Sequence, residues 1–171
     1  MTGTTLFGAR GYALQLPDGT PFTLEPLSPA DAARLGEAIA AMDPWRAYGY
    51  PASALTRMLL SHPEGAPRFA FNLEGAVVGA AIIHTNWLRG PYLQFLALLP
   101  EAQGRALGST FLQWMEHEAR ASGERNLWVA VSEINTGATR FYERHGFSRI
   151  ADLPDLAYDG RTEFLLRKRL S

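Results

Sequence analysis

The chain has 171 residues, of which 47% are hydrophobic and 19% are charged, and its formal net charge is −1. This length and composition fit one globular domain with a full-sized core. The near-neutral charge gives no electrostatic reason to expect nucleic acid or an anionic membrane as a partner. The absence of cysteine excludes disulfides, thiolate metal sites and a cysteine-linked acyl intermediate.

No segment of the sequence suggests a membrane or secretory location. No apolar run approaches the ~18 residues that span a bilayer, and the first residues lack the basic start and apolar core of a signal peptide. No repeat or linker interrupts the chain. We therefore expect a cytoplasmic protein whose residues 1–171 form a single domain.

Hydrophobic periodicity and turn residues predict an alternation of strands and helices. Ser28 is a predicted N-cap, with Pro29 in the first turn behind it. Asp43-Pro44 ends that helix, and an aromatic-rich loop is expected over 45–51. The predicted strands are 12–16, 22–26, 69–73, 76–84, 92–98, 127–131, 148–152 and 163–168. The predicted helices are 28–42, 52–61, 105–122 and 136–145.

The stretch from Leu96 to Arg120 carries the first functional signal. A short apolar strand ends at Pro100, and a turn rich in small residues then opens a long amphipathic helix. A helix start leaves backbone N–H groups unpaired and carries the positive end of the helix dipole, so it suits a phosphate group. Many strand–turn–helix joints contain glycine for steric reasons alone, so this turn by itself indicates phosphate binding only weakly.

A second motif follows about thirty residues later. It has an asparagine, an alanine, a tyrosine and a Gly-Phe pair at fixed spacing: Asn135, Ala138, Tyr142, Gly146 and Phe147. Together the two motifs resemble the GNAT superfamily of acyl-CoA N-acyltransferases, which has a [QR]-x-x-G-x-[GA] turn followed by N-x-x-A-x-x-x-Y-x-x-x-G-F. The resemblance covers roughly residues 67–169, and the second motif is most similar to that of ribosomal-protein alanine acetyltransferases.

The resemblance implies an α/β (α+β) fold. Its sheet is mixed, mostly antiparallel and opened into a V, with six to seven strands flanked by about four helices. The cofactor-binding core would cover about 67–169, and the acceptor-side helices about 28–61. It also implies acetyl-CoA as the co-substrate. The residues implied to bind it, largely through their backbone, are Leu96, Leu98, Gln103, Gly104, Arg105, Ala106, Leu107, Gly108, Ser109 and Asn135.

One position departs from the family pattern. Ala106 stands where the first glycine of the G-x-G turn is usual. We expect Ala106 to lie in the first helical turn, where alanine meets no φ penalty and its amide still points at phosphate.

Tyr142 has two interpretations. On helical spacing alone it is a core aromatic beside Phe141. The matching tyrosine of the family donates a proton to the leaving CoA thiolate, and a phenol is a reasonable acid for a thiolate. We predict the acid role. Asn135 similarly suits both an N-cap and a contact to the pantetheine arm of the cofactor.

The general base is the open question. An amine of pKa ~10 is only about one-thousandth neutral at pH 7, so a base or a water relay is needed. The two positions where the family commonly has glutamate are here Ala130 and Gln94. The remaining candidates are Glu133, just past a strand end, and His84, at the predicted end of another strand. Either could equally be a solvated surface residue.

Aromatic residues concentrate where the acceptor should bind. Trp45, Tyr48 and Tyr50 lie in the connection between the first two helices, and Trp87 and Tyr158 in two further loops. They either pack beneath a lid or line an apolar acceptor pocket. The acceptor itself is left open between a small-molecule amine and a peptide N-terminus, and a homodimer is left open as well.

No pair of histidines has metal-ligand spacing, so we expect no metal.

The sequence supports two functions. The first is an N-acetyltransferase in which the amine attacks acetyl-CoA directly within a ternary complex. The second is a non-catalytic acyl-CoA-binding sensor or interaction module, which Ala130, Gln94 and Ala106 favour and the retained Tyr142 disfavours.

Overall fold

The computed structural model describes residues 6–8 and 10–171. Within these residues it has five α-helices and one sheet of eight strands, more than the six to seven strands and four helices expected. The strands are β1 Tyr12–Gln15, β2 Pro21–Pro26, β3 Arg68–Leu73, β4 Ala76–Trp87, β5 Gly90–Leu98, β6 Asn126–Ser132, β7 Ser148–Pro154 and β8 Thr162–Arg169. The helices are α1 Pro29–Ala40, α2 Trp45–Tyr48, α3 Ala52–Leu60, α4 Leu107–Ala121 and α5 Thr136–Arg144, with a short 3-10 helix at Pro100–Ala102.

The sheet is mixed and mostly antiparallel, as expected. Its strand order is β1-β2-β3-β4-β5-β6-β8-β7, and β5–β6 is the one parallel pair among the described strands. These two strands are adjacent because the chain crosses between them through α4. A parallel pair requires such a crossover.

The parallel pair opens almost as soon as it forms, which confirms the V-shaped sheet. Only Tyr92↔Trp128 and Leu93↔Val129 are paired between β5 and β6. On its other edge β5 has a bulge at the next residue, because Ile82 is opposite Phe95 and Ile83 is opposite Leu93, which leaves Gln94 as the extra residue. A bulge bends its strand and increases its twist. We attribute the divergence of β5 from β6 to this bend.

Side chains alternate along the strands into two cores, one on each face of the sheet. Phe69, Phe71 and Ile83 belong to the core beneath α4, whereas Ala70 and Ile82 belong to the core beneath α1 and α3. The apolar face predicted for α4 is confirmed, since all four of its members are buried: Leu107, Phe111, Met115 and Ala119.

The helices α1 and α3 pack closely and support the connection that carries α2. A Cβ at Gly36 would overlap the side chain of Thr56 and lie 3.1 Å from the carbonyl oxygen of Ala52. Glycine therefore permits this approach. The buried guanidinium of Arg68 donates to the carbonyl of Met58 at 3.1 Å and fixes the last turn of α3.

Three element predictions were wrong in detail. The connection 45–51 was expected as a loop but contains the single helical turn α2, closed by Gly49 in the left-handed conformation. Strand β4 does not end at His84 but continues to Trp87. The helix α4 begins at Leu107 and not at Arg105, because Ala106 has a positive φ of 65°. None of the described helices is long and apolar enough to cross a membrane.

Candidate active site

The diverging edge of β5 presents backbone groups to the opening. The N–H of Leu99 donates to the carbonyl of Val78 at 2.8 Å, which fixes the hydrogen-bonding phase between β5 and β4. In an antiparallel ladder the hydrogen-bonded residues alternate, so the backbone N–H and carbonyl of Ala97 also bond to β4. The backbone groups of Leu96 and Leu98 point away from β4. The carbonyl of Leu98 accepts from Nε2 of Gln103 at 2.9 Å. The N–H groups of Leu96 and Leu98 and the carbonyl of Leu96 therefore face the opening.

The start of α4 presents a second set of backbone donors. Thr110 is the first residue to donate within the helix, to the carbonyl of Ala106 at 2.9 Å. The N–H groups of Leu107, Gly108 and Ser109 therefore lie before the first helical hydrogen bond, and no side chain of the described residues caps them. The helix α3 likewise has no side-chain cap, whereas α1 and α5 have one. Ser28 caps α1 and Asn135 caps α5, each accepting a backbone N–H at 3.1 Å.

The turn before α4 corrects the expectation for Ala106. This residue is the N-cap and has the left-handed conformation, with φ of 65°. Alanine pays about 1 kcal/mol there, whereas glycine does not. Gly104 is also left-handed, with φ of 73°, and nothing would lie within 4 Å of a Cβ added to it.

These two sets of donors border one cavity of about 660 Å³. It runs from the α4 start along β5 to α5. All of the predicted cofactor-binding residues line it except Arg105, whose side chain instead pairs with Glu74 at 3.1 Å.

A smaller cavity of about 290 Å³ lies between the diverging strands. Gln94, Phe95 and Leu96 of β5 form one wall, and residues 130–132 of β6 form the other. The remaining wall is largely aromatic, from Trp45, Tyr48, Tyr50 and Tyr92. Six residues border both cavities: Pro44, Trp45, Leu96, Asn135, Ala138 and Tyr142.

Tyr142 is one of the six and is 6% exposed. It lies on α5 between Phe141 and Phe147, whose ring centroids are 5.1 and 5.5 Å from its own. Burial, and to a smaller extent the neighbouring Tyr92, raise the pKa of Tyr142 well above the ordinary value of a phenol. The hydroxyl therefore keeps its proton at neutral pH.

A buried polar cluster closes the smaller cavity, formed by Tyr48, Ser132 and Glu163. The hydroxyl of Tyr48 is hydrogen-bonded to Oγ of Ser132 and lies 3.4 Å from Oε1 of Glu163. Ser132 and Glu163 are opposite each other in the β6–β8 ladder. Burial raises the pKa of the Glu163 carboxyl, the hydrogen bond from Tyr48 opposes this shift, and the charge of Glu133 adds to it.

Comparison with known proteins identifies the family. Residues 34–147 match the profile of the "Acetyltransferase (GNAT) family". The chain belongs to the GNAT family of acetyltransferases.

Individual relatives agree with this placement. The GNAT chain is 35% identical over 101 residues to an acetyltransferase of Agrobacterium fabrum, covering 57% of this chain and 69% of that one. It is 35% identical over 66 residues to the aminoalkylphosphonate N-acetyltransferase of Salmonella typhimurium, covering 39% of this chain and 42% of that one. The chain thus spans less than half the length of the Salmonella relative.

Solved structures share the fold. A protein of Desulfovibrio desulfuricans assigned to the GNAT family superposes with a TM-score of 0.67 at 27% identity, covering 88% of this chain and 98% of that one. The ribosomal-protein alanine N-acetyltransferase of Escherichia coli superposes with a TM-score of 0.68 at 19% identity, covering 88% and 94%. At that identity the second likeness concerns the fold alone.

The two predicted bases do not line either cavity of this GNAT chain. Nε2 of His84 lies 2.6 Å from Oε1 of Gln94, and the His84 ring packs 6.0 Å from that of Tyr92. Oε1 of Glu133 accepts the backbone N–H of Thr162 at 3.2 Å. Both side chains are near the smaller cavity but outside its lining.

The predicted aromatic pocket is brought together in part. Trp45, Tyr48 and Tyr50 line the smaller cavity. Tyr158 does not line it but stacks on Tyr48, with ring centroids 5.5 Å apart. Trp87 lies behind the wall and packs on Tyr92 at 4.9 Å, because β4 extends further than predicted.

Sequence reasoning missed several residues that line the cavities, among them Ser132, Arg144 and Glu163. Glu163 is a lone acid near the start of an otherwise apolar and basic strand, which is an ordinary feature of a half-exposed strand. No local pattern marks it, because the buried residues of β8, Glu163 and Leu166, do not alternate. Arg144 is exposed at the end of α5 and borders the larger cavity. Among the described residues, no group of three or more metal-ligating side chains is found.

Proposed function

We propose that this chain is an acetyl-CoA-dependent N-acetyltransferase that acetylates a primary amine by direct attack within a ternary complex. The observation that carries the proposal is the position of Tyr142, which borders both cavities at once. One cavity has the donors for a phosphate-bearing co-substrate, and the other has walls for an acceptor. A side chain at this junction lies where the acetyl group would pass from the co-substrate to the amine.

The larger cavity fits acetyl-CoA on its own chemistry. Three uncapped N–H groups at the start of α4 suit the pyrophosphate, since they combine free donors with the positive end of the helix dipole. The space beside Gly104 admits phosphate oxygens close to the backbone. The outward groups of Leu96 and Leu98 suit an extended amide-containing arm, which would bond to them as a neighbouring strand does.

The reaction makes one bond and breaks one. The amine nitrogen bonds to the acetyl carbon, and the bond between that carbon and the CoA sulfur breaks. The ammonium of the acceptor first loses one proton to the base, and the nitrogen loses a second proton as the amide forms. The sulfur gains one proton, and the other is released to solvent. The N–H of Leu98 is placed to donate to the developing oxyanion, and Tyr142 is the acid that protonates the sulfur.

Glu163 is the base that the geometry favours. It is the carboxylate in the lining of the smaller cavity, and burial raises its pKa above the ordinary value of a glutamate, which makes it a stronger base. A base is most effective when its pKa lies near the working pH. Glu133 and His84 remain predictions for this role, as does a relay through water.

The names of the relatives do not identify the acceptor. The Salmonella relative is named for aminoalkylphosphonates, whereas a relative in Streptomyces lavendulae, 26% identical over 92 residues and covered over 48% of its length, is named for streptothricin. The two names give two different acceptors. The acceptor of this chain therefore has to be argued from its own cavity.

A thiol-release assay tests the proposal. Purified protein, acetyl-CoA and a panel of primary amines are mixed, and free CoA thiol is followed spectrophotometrically. We expect turnover with at least one amine, dependent on Tyr142. Binding of acetyl-CoA without turnover on any amine would instead identify a non-catalytic acyl-CoA-binding module.

A further inference from the structure

The smaller cavity has an unbalanced charge. Of the residues that line it, all within the described part of the chain, Glu163 is the one carboxylate, and none is lysine, arginine or histidine. Arg161, whose charge reaches Tyr48, is exposed and lies outside the lining. A ligand in this cavity therefore contacts one negatively charged side chain and no positively charged one.

Glu163 is buried enough for this charge to matter. Its side chain is 8% exposed, and its hydrogen-bond donor among the described residues is the hydroxyl of Tyr48, at the long distance of 3.4 Å. A buried carboxylate with one neutral donor remains poorly compensated. An ammonium group supplies both a positive charge and hydrogen-bond donors.

The other walls suit an uncharged body. Trp45, Tyr48, Tyr50 and Tyr92 present ring surfaces, and Leu55 and Met58 add aliphatic groups. Ring faces attract a cation as well as apolar groups, but they offer nothing to an anion. The volume of about 290 Å³ is at the small end of ligand sites.

We propose that the acceptor is a small primary amine with an apolar, uncharged body, and that Glu163 binds its ammonium while excluding acceptors that also carry a carboxylate or phosphonate. This inference rests on the proposed function and narrows it to one acceptor class. An anionic group in the cavity would face Glu163 without a counter-ion, so like charges would oppose binding.

Acceptor pairs that differ only by a carboxylate test it. The pairs are 2-phenylethylamine with L-phenylalanine, tyramine with L-tyrosine, and isoamylamine with L-leucine. We expect kcat/KM to be at least about 100-fold higher for the amine of the best pair. Equal or higher values for the amino acid in every pair would overturn the inference.

Glu163→Gln tests the residue itself. A charge-assisted hydrogen bond is lost while the shape is kept, so the Kd of the preferred amine should rise by about 10- to 100-fold. The discrimination against the amino acid should shrink in parallel. Glu37→Gln, which removes the same charge from an exposed position on α1, should change neither quantity. An unchanged amine Kd in Glu163→Gln would contradict the assignment.

The Kd values are measured by calorimetry on the CoA-bound protein, so they need no turnover. Selective binding of amines without acetylation would support the acceptor class and overturn the proposed function. Acetylation without preference between the members of a pair would support the proposed function and overturn the acceptor class. If no amine binds at millimolar concentration, the acceptor class is wrong.

Discussion

The hydroxyl of Tyr48 lies 3.4 Å from Oε1 of Glu163, although 115 residues separate them in the chain. The contact joins α2, in the connection between α1 and α3, to the second residue of β8. It requires the whole sheet to be assembled, because β8 is positioned by β6 and the connection by α1 and α3. The smaller cavity is therefore built from elements that lie far apart in the chain.

The burial of Glu163 predicts a pH-dependent stability. The pKa of its carboxyl is raised on folding, so the folded state holds this proton to higher pH than the unfolded state, whose value is near 4.5. Stability falls as pH rises from about 4.5 through the folded pKa, since the unfolded state there binds fewer protons. Glu163→Gln removes this loss.

Urea unfolding of both proteins between pH 4 and pH 8 measures the effect. The free energy of unfolding of Glu163→Gln minus that of the wild type should become more positive with rising pH. A difference that stays constant across the range would mean that the carboxyl titrates alike in both states.

Tyr142→Phe should lower kcat by roughly 10²–10⁴-fold, the usual worth of general acid catalysis. Shape and packing are kept, so acetyl-CoA affinity should change little and stability by only about 1 kcal/mol. Steady-state and pre-steady-state thiol release give the rate, and calorimetry gives the affinity.

Tyr12→Phe is the matched control for that variant. Tyr12 packs against the same core, and its hydroxyl donates to the carbonyl of Gly8 at 3.4 Å, far from both cavities. It should lose comparable stability and no activity. Turnover of Tyr142→Phe within threefold of the wild type, with chemistry rate-limiting, would place the proton donor elsewhere.

Gly104→Ala should weaken acetyl-CoA binding by about tenfold or more, since its Cβ would occupy the approach of the phosphate oxygens. Gly123→Ala is a close control, because both glycines are left-handed, with φ of 73° and 77°, and both have open space beside them. The two variants should lose similar stability, about 1 kcal/mol, while only the first loses affinity. Equal affinities by calorimetry would argue against phosphate binding at this turn.

Ala106→Gly should stabilise the protein. Removing the left-handed strain of the alanine stabilises the fold by about 1 kcal/mol, and the greater freedom of glycine in the unfolded chain offsets roughly half of this, leaving about 0.5 kcal/mol. The melting temperature should rise by roughly 1–2 °C. Ala33→Gly, a change at an exposed position inside α1, should lower it. A lower melting temperature in both variants would mean that the left-handed conformation of residue 106 costs alanine less than the freedom of glycine costs the folded state.

Most elements were predictable because their signals are local. Ser28 and Asn135 cap helices as their positions suggested, and the apolar spacing along α4 placed its buried face correctly. The second motif places Tyr142 by spacing along one helix. Such features depend on neighbours within a few residues in sequence.

The missed features depend on partners far away in sequence. The inward position of Glu163 follows from its register against Ser132, which no local pattern fixes. The positive φ of Ala106 occurs in the connection between β5 and α4, where the chain turns from the sheet into a helix, and no residue type at 106 indicates it. Trp87 was misplaced because the extension of β4 depends on its pairing with Gly90 of β5.

The early parting of β5 and β6 also has a mechanical consequence. Two residue pairs link the strands before they separate, so each part of the sheet has its own ladder and only a short seam connects them. Amides along the outward edge of β5, such as those of Leu96 and Leu98, should exchange with deuterium faster than their alternating neighbours, which bond to β4. A molecule that bridged that edge would slow their exchange and stiffen the seam. Binding of a ligand along this edge of β5 would then make the whole sheet more rigid.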